Sequence, residues 1–147
     1  MKLTIEKYKT IHLAGFIPRQ EARDSIDEHG GLDAVMEIQT ARGPVFSILA
    51  ENRTIGIVGA WPAGGGVAEV WTMFSDESAN YPFAVVKAVD KILCAFYIGL
   101  SVKMFYALVK DKEGVRWGRI HGFKAAGKTP PLSPNGEQLT IIYRRAA

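Results

Sequence analysis

Residues 67–99 read VAEVWTMFSDESANYPFAVVKAVDKILCAFYIG. The opening segment, Val67 to Phe74, is mostly apolar and favours a strand. A polar segment follows, and Pro82 then suits the first turn of a helix. Gly99 is a natural C-terminal stop. The stretch therefore predicts a strand followed by a helix that runs to about Ile98.

The predicted helix carries its charges on one stripe. Lys87, Asp90 and Lys91 recur at helical spacing. The rest of the helix surface is predicted to carry apolar residues: Phe83, Val86, Val89, Leu93 and Phe96. We therefore expect most of this helix to be buried, with Cys94 as a small apolar filler.

Upstream of this stretch the pattern changes to short apolar strands. Residues 45–50 and 55–61 flank a turn at residues 51–53, and a second turn at residues 62–66 leads into Val67. This predicts three consecutive antiparallel strands. Nearer the N-terminus, residues 2–8 alternate as a strand does, residues 19–29 predict a short exposed helix, and residues 32–40 predict one or two further helical turns.

Downstream, residues 102–109 predict a strand, residues 113–121 a short helix, and residues 122–123 the exit into another extended segment. Pro130, Pro131 and Pro134 mark a loop before a closing strand at residues 138–144. A helix that joins two strands favours a parallel crossover. The sequence thus predicts one α/β (α+β) domain over residues 1–147, with a mixed, mostly antiparallel central sheet and helices on both faces.

Composition excludes several kinds of site. Hydrophobic residues make up 48% and charged residues 22% of 147 residues, which are ordinary globular proportions. The single cysteine excludes an intrachain disulfide and a zinc site built from several thiolates. His12, His29 and His121 show no metal-ligand spacing, so we expect no metal.

The charge pattern bears on location and partners. The N-terminus carries charges where a signal peptide needs an apolar run, and charges interrupt residues 83–100, so we expect a cytoplasmic protein without a membrane span. A net charge of +3 is too mild to indicate nucleic acid as a partner. The basic cluster from Lys110 to Lys128 leaves nucleic-acid binding as a third possibility, which would be strongly salt-dependent.

The order of elements resembles the GCN5-related N-acetyltransferase (GNAT) superfamily over nearly the whole chain. The most similar segment is VKDKEGVRWGRIHGF, residues 109–123. The chain also resembles small phage proteins of this fold that serve as internal virion or assembly proteins. The first resemblance implies transfer of an acetyl group from acetyl-CoA to an amine of a small molecule or a protein. The second implies contacts with phage structural proteins, in the host cytoplasm or the virion.

The resemblance also implies where the cofactor would lie. Backbone groups of the strand end, Met73 and Phe74, would contact the pantetheine arm, and the turn with Ser75, Ser78 and Asn80 would lie near the pyrophosphate. That turn departs from the family pattern, because it has no glycine and contains two carboxylates that repel phosphate. The simpler interpretation makes Ser78 or Asn80 a helix cap. Asp111 stands where the family prefers asparagine, and capping the next helix is its simplest role.

Candidate catalytic residues come from two strands. Glu69, between apolar neighbours, is the best candidate for a general base, and the competing interpretation is an outward-facing glutamate. The family often has an acidic tyrosine at the position that aligns with Gly118, and glycine cannot donate a proton. Tyr106 is a possible substitute, and packing is the alternative role for it. For His121, at a helix end, a structural role is expected.

Two functions therefore remain open from the sequence. One is an N-acetyltransferase of modified type, with Glu69 as base and Tyr106 as acid. The other is a protein that keeps the scaffold, lacks the chemistry and acts through protein contacts.

Overall fold

The computed structural model describes residues 2–131 and 136–146. In this part of the chain, seven strands form one sheet. The strands are β1 (Thr4–Lys7), β2 (Val45–Ala50), β3 (Arg53–Gly64), β4 (Val67–Phe74), β5 (Met104–Val109), β6 (Lys124–Lys128) and β7 (Thr140–Arg145). The α-helices are α1 (Gln20–Glu28), α2 (Leu32–Arg42), α3 (Pro82–Gly99) and α4 (Lys112–Ile120), and short 3-10 helices cover Thr10–Leu13 and Asp76–Asn80.

The strand order is β1-β2-β3-β4-β5-β7-β6. Every neighbouring pair is antiparallel except β4 and β5, which are parallel. Helix α3 connects these two strands, so the predicted parallel crossover is confirmed. The predicted mixed, mostly antiparallel sheet is confirmed as well.

The parallel pair is short. Residues Val67–Glu69 of β4 pair with Met104–Tyr106 of β5, although β4 continues to Phe74 and β5 continues to Val109. Beyond Glu69 the two strands diverge, while each stays paired with its outer neighbour. The sheet therefore opens as a V in its middle.

Helices cover both faces of the sheet. Val58 and Val70 belong to a core cluster with Ile92 and Phe96 of α3. Ile57 and Met73, which point to the opposite face, cluster with residues of α1 and α2. The two faces thus have separate cores, and the predicted arrangement of helices is confirmed.

Several details differ from the sequence prediction. Helix α2 extends to Arg42, and β3 extends to Gly64, so the second turn is confined to Gly65 and Gly66. Of the predicted proline loop, Pro130 and Pro131 lie outside the strands, and Pro134 lies outside the described residues.

The prediction that most of α3 is buried is wrong. Phe83 is 84% exposed and Cys94 is also exposed. The buried residues of α3 form one stripe against the sheet: Val85, Ala88, Val89, Ile92, Leu93 and Phe96. A helix on the outer face of a sheet buries one side only, and apolar composition alone does not say which side.

Among the described residues, no helix combines the length and apolar character needed to cross a membrane.

Candidate functional site

A cleft occupies the opening between β4 and β5. Its outer part is a groove of about 990 Å³ bordered by α1, the start of α3 and α4. Its inner part is a cavity of about 190 Å³ that reaches Glu69. Trp71, Val109 and Trp117 line both parts. The two volumes are therefore neighbours that share a wall, and together they extend from the surface to the point where the strands separate.

Two glycines of α4 let this helix lie close against the sheet beside the cleft. A Cβ atom at Gly114 would lie 2.8 Å from Cβ of Val109, and a Cβ atom at Gly118 would collide with Cδ1 of Ile142. Helix α4 thus packs too closely on β5 and β7 to accept a side chain at either position. Gly118 is required by packing, which explains why no tyrosine stands there.

Glu69 and Tyr106 meet at the inner end of the cleft. They are direct partners in the β4–β5 register, and Tyr106 Oη donates a hydrogen bond to Glu69 Oε2 over 3.4 Å. On the other side of Glu69, its partner on β3 is Trp61, and the Arg42 guanidinium lies 4.4 Å from the centre of the Trp61 ring. The two residues singled out as catalytic candidates are therefore in contact.

Burial controls the proton affinity of this pair. It raises the pKa of Glu69, while the hydrogen bond from Tyr106 and the charge of Arg42 act in the opposite direction. Burial and the neighbouring Glu69 also raise the pKa of Tyr106. Glu69 is thus better suited to accept a proton than an exposed glutamate, and Tyr106 holds its proton more firmly than an ordinary tyrosine.

The end of β4 lines the outer groove with Met73 and Phe74. The Phe74 carbonyl accepts a hydrogen bond from the Arg19 amide (2.9 Å), and the Phe74 ring meets the Trp117 ring edge-on at 5.7 Å. Ser75 is turned away, because its amide and its hydroxyl both donate to the Ile55 carbonyl, at 3.0 and 3.3 Å. The side chain of Ser75 is therefore engaged in holding the turn.

The turn before α3 differs from the predicted cap. Tyr81 is the N-cap of α3 and makes no side-chain capping bond, so the assignment of Ser78 or Asn80 as the cap is wrong. The Ser78 hydroxyl donates to the Ser75 carbonyl at 2.7 Å instead, and Asn80 is exposed. The Ser78 hydroxyl therefore bonds within its own turn and does not cap the helix that follows. The first amides of α3 consequently border the groove without a side-chain cap.

The two carboxylates of this turn are paired with arginines. Glu77 contacts Arg53 (Oε2 to Nη2, 2.6 Å), and this partner lowers the pKa of Glu77. Asp76 lies 3.7 Å from Arg19. The groove itself is lined by Arg19, Lys87 and Lys110, and also by Glu21, Asp111 and Glu113. The repulsion expected from the sequence is therefore offset locally, and the groove lining carries charges of both signs.

Comparisons with known proteins complete this description. No protein-family model matches the chain, and no curated protein matches it. Solved structures do match. Ard1 from Thermoplasma volcanium has a TM-score of 0.78 at 12% identity, covering 100% of this chain and 99% of that one. A GNAT superfamily phosphinothricin acetyltransferase from Sinorhizobium meliloti, in complex with AcCoA, has a TM-score of 0.73 at 17% identity, covering 100% and 90%.

Ribosomal-protein-alanine N-acetyltransferase from Brucella melitensis has a TM-score of 0.76 at 12% identity, covering 97% of this chain and 99% of that one. The fold is the GNAT fold. These structures lend no support to the resemblance to phage virion proteins. At such low identity the likeness concerns the fold, and function must be argued from the cleft.

Within this GNAT fold, Asp111 has the role that its position predicts. Its Oδ1 accepts a hydrogen bond from the Gly114 amide at 2.9 Å, which caps α4. Asp111 also lines the outer groove beside Lys110. The cap prediction is confirmed, and a cofactor contact of Asp111 remains a prediction.

Two features of the cleft escaped sequence reasoning. Arg42 is the last residue of α2, beyond the predicted end of this helix, and its guanidinium lies over the Trp61 ring. The buried His121 ring pairs with the half-exposed carboxylate of Asp90, which is 31 residues away in sequence. The helical spacing of Gly114, Gly118 and His121 was a usable signal, since positions i, i+4 and i+7 share one face of a helix.

Across the described residues, no group of three or more histidine, cysteine, aspartate or glutamate side chains is arranged to hold a metal ion.

Proposed function

We propose that this protein is an N-acetyltransferase that transfers the acetyl group of acetyl-CoA to an amine of a small molecule or a protein. The observation that carries the proposal is the cleft between β4 and β5 with the partly buried Glu69–Tyr106 pair at its inner end. A channel that delivers a ligand to a desolvated carboxylate is what proton abstraction from an amine requires. Glu69 is the base of this proposal.

The residues of the cleft fit acetyl-CoA. Gly114 and Gly118 let α4 lie close against Val109 and Ile142, and all four residues line the inner cavity. The uncapped start of α3, together with Lys87 and Lys110, would hold the phosphates at the outer groove, whose lining also includes Arg19 and the carboxylates of Glu21, Asp111 and Glu113. Met73, Phe74, Ser78 and Asp111 border that groove and are the proposed contacts of the cofactor. When bound, acetyl-CoA supplies an acetyl group activated as a thioester. The structure from Sinorhizobium meliloti contains AcCoA.

Two predicted cofactor contacts are assigned less direct roles. Ser75 acts by holding the turn against Ile55, since both of its donors are used there. Asn80 is exposed ahead of α3, where it is within the same turn as Ser78. We therefore rank Ser75 and Asn80 below the groove-lining residues as candidate contacts of the cofactor.

Within the cleft, each residue has a defined task. Glu69 takes a proton from the acceptor ammonium, which makes the nitrogen nucleophilic. Tyr106 orients the Glu69 carboxylate through its hydrogen bond. The raised pKa of Tyr106 makes it a weak acid, so we assign it to positioning instead of the proton donation that its sequence position suggested. The apolar walls formed by Val70, Leu93 and Val109 exclude water from the thioester.

Isothermal titration with acetyl-CoA and with CoA tests this proposal, followed by a screen of amine acceptors with Glu69→Gln. We expect micromolar binding by both proteins and a turnover at least about 10²-fold slower in the variant. Glu6→Gln, on the exposed face of β1, is the matched control and should keep full activity. Absence of binding heat together with an unchanged melting temperature would favour the competing function, a scaffold of phage or other origin that acts through protein contacts alone.

A further inference from the structure

Glu69 belongs to a row of side chains that crosses the sheet on the face that carries α1 and α2. Each member is the register partner of the next: Trp61 on β3, Glu69 on β4, Tyr106 on β5, Tyr143 on β7 and Lys124 on β6. Partners on neighbouring strands project from the same face of a sheet. None of the five residues is buried, so a ligand can reach the row from solvent.

Arg42 is held over one end of this row. Its guanidinium carbon lies 4.4 Å from the centre of the Trp61 ring. The next residue, Gly43, lets the chain touch β3, because a Cβ atom there would collide with the Ala60 carbonyl oxygen. The Ala60 amide also donates a hydrogen bond to the Pro44 carbonyl at 3.1 Å. The end of α2 is therefore fixed beside Trp61.

The Arg42 guanidinium acts on Glu69 without pairing with it. Its charge lowers the pKa of Glu69, against the effect of burial. Among the described residues, however, Arg42 forms no ion pair with Glu69 or with any other carboxylate. Arginine carries five N–H donors in a planar fork that matches a carboxylate. The fork of Arg42 is thus available to a ligand that contacts Glu69.

The charges along the row favour a ligand with charges of both signs. Glu69 is the one carboxylate of the row, and it lies between Arg42 at one end and Lys124 at the other. An ammonium group is attracted to Glu69, whereas the further cations of a polyamine would be repelled by Arg42 and Lys124. An amine that also carries a carboxylate matches both Glu69 and Arg42.

We propose that the acceptor is a small amino carboxylate, whose amine lies at Glu69 and whose carboxylate is bound by Arg42. This deepens the proposed function and rests on it. Neighbouring strands lie about 4.8 Å apart, so Glu69 and the guanidinium over Trp61 are spaced for a ligand the size of an amino acid. Trp61 holds the guanidinium and is a positioning residue.

The first test compares amino acids with their amides as acceptors. The common amino acids are screened by the consumption of acetyl-CoA, and each one that reacts is compared with its amide, which keeps the amine and the side chain and lacks the negative charge. The acid should have a kcat/KM at least roughly tenfold higher than the amide.

Substitution of Arg42 should remove this preference. Arg42→Gln should raise KM for the acid by roughly tenfold with little change in kcat, and should leave the amide unaffected. Arg42→Lys keeps the charge without the fork and should have an intermediate effect. Trp61→Leu should raise the same KM by a smaller factor. A purely structural role of the Arg42–Trp61 pair would not alter the discrimination between acid and amide.

Arg116→Gln, at an exposed arginine of α4, is the matched control and should retain the preference. Titration with CoA should give the same affinity for the variants as for the wild type, which shows that they are folded. In a second test without turnover, the N-acetylated form of the best acceptor is titrated into the protein saturated with CoA. It should bind roughly tenfold more weakly to Arg42→Gln.

The outcomes separate this proposal from the proposed function. Equal turnover of acid and amide, a preference that survives in Arg42→Gln, or acetylation of amines with no reaction of any amino acid would overturn the assignment of the acceptor and leave the acetyltransferase function intact. A protein that binds acetyl-CoA and acetylates no amino acid would overturn the assignment as well. A protein that binds neither acetyl-CoA nor CoA would overturn both proposals.

Discussion

At the residue scale, Glu69 is a carboxyl group whose burial disfavours its ionised form. Burial raises its pKa more than Tyr106 and Arg42 lower it. In an unfolded chain a glutamate titrates near about pH 4.3. The folded state therefore favours the neutral form, and the stabilising contribution of Glu69 is fully present below that pH and is lost as the pH rises through the folded value.

This gives the first prediction. Because glutamine cannot ionise, Glu69→Gln should be more stable than the wild type at neutral pH. The difference should shrink to nothing as the pH falls below that of an ordinary glutamate. Urea unfolding at a series of pH values measures the gap. A gap that stays constant with pH would show that Glu69 titrates as an exposed residue does.

At the element scale, α4 is defined by how closely it approaches the sheet. Alanine usually stabilises a helix interior relative to glycine by about 1 kcal/mol. At Gly118 we expect the opposite, because the new Cβ atom would collide with Cδ1 of Ile142. Overpacking of this kind costs about 1–3 kcal/mol. Gly118→Ala should therefore lower the free energy of unfolding.

Two variants control for that result. Ile142→Val removes the Cδ1 atom, so the double variant should recover most of the stability that Gly118→Ala loses. Gly99→Ala, at the end of α3 where a Cβ atom meets open space, should be close to neutral. If Gly118→Ala proved as harmless as Gly99→Ala, the packing account of the glycine would be wrong.

Helix α3 provides a second comparison at this scale. Lys87 and Lys91 lie one turn apart and are both exposed, and Lys87 borders the outer groove. If phosphates bind there, Lys87→Gln should weaken CoA binding by about fivefold, and the loss should fade at high salt. Lys91→Gln should leave binding unchanged. Equal effects of the two substitutions would place the phosphates elsewhere.

Local elements were predictable because their signals are local. The cap at Asp111 depends on a few neighbouring residues and appears in the structure as expected. The predicted stop at Gly99 is displaced by one residue, because Gly99 is the last residue of α3 and Leu100 is its C-cap. The exposure of Phe83 and Cys94 was not predictable, since composition does not reveal which side of α3 meets the sheet. The Asp90–His121 pair depends on the packing of two helices and leaves no local pattern.

At the scale of the whole molecule, the sheet consists of two parts joined by a short seam. Strands β1 to β4 form one antiparallel unit, and β5 to β7 form the other. Three residue pairs connect them in register, at Val67–Glu69. The order of strands and helices was readable from the sequence. The length of this seam was not, because it depends on contacts between residues almost forty positions apart.

A ligand in the cleft would contact both parts of the sheet and stabilise the seam between them against unfolding. Acetyl-CoA at a hundred times its Kd should stabilise the fold by about 2.7 kcal/mol. For a domain of this size that raises Tm by roughly 5–10 °C. Hydrogen exchange should slow most at the diverging ends of β4 and β5, where each strand lacks the other as a neighbour.

Adenosine 3′,5′-bisphosphate, which lacks the pantetheine arm, serves as the control. It should bind the outer groove and leave exchange at the seam unchanged, since it cannot reach between the strands. Equal protection by both ligands would mean that the cleft does not hold the arm, and the two parts of the sheet would then be joined by the Val67–Glu69 seam alone.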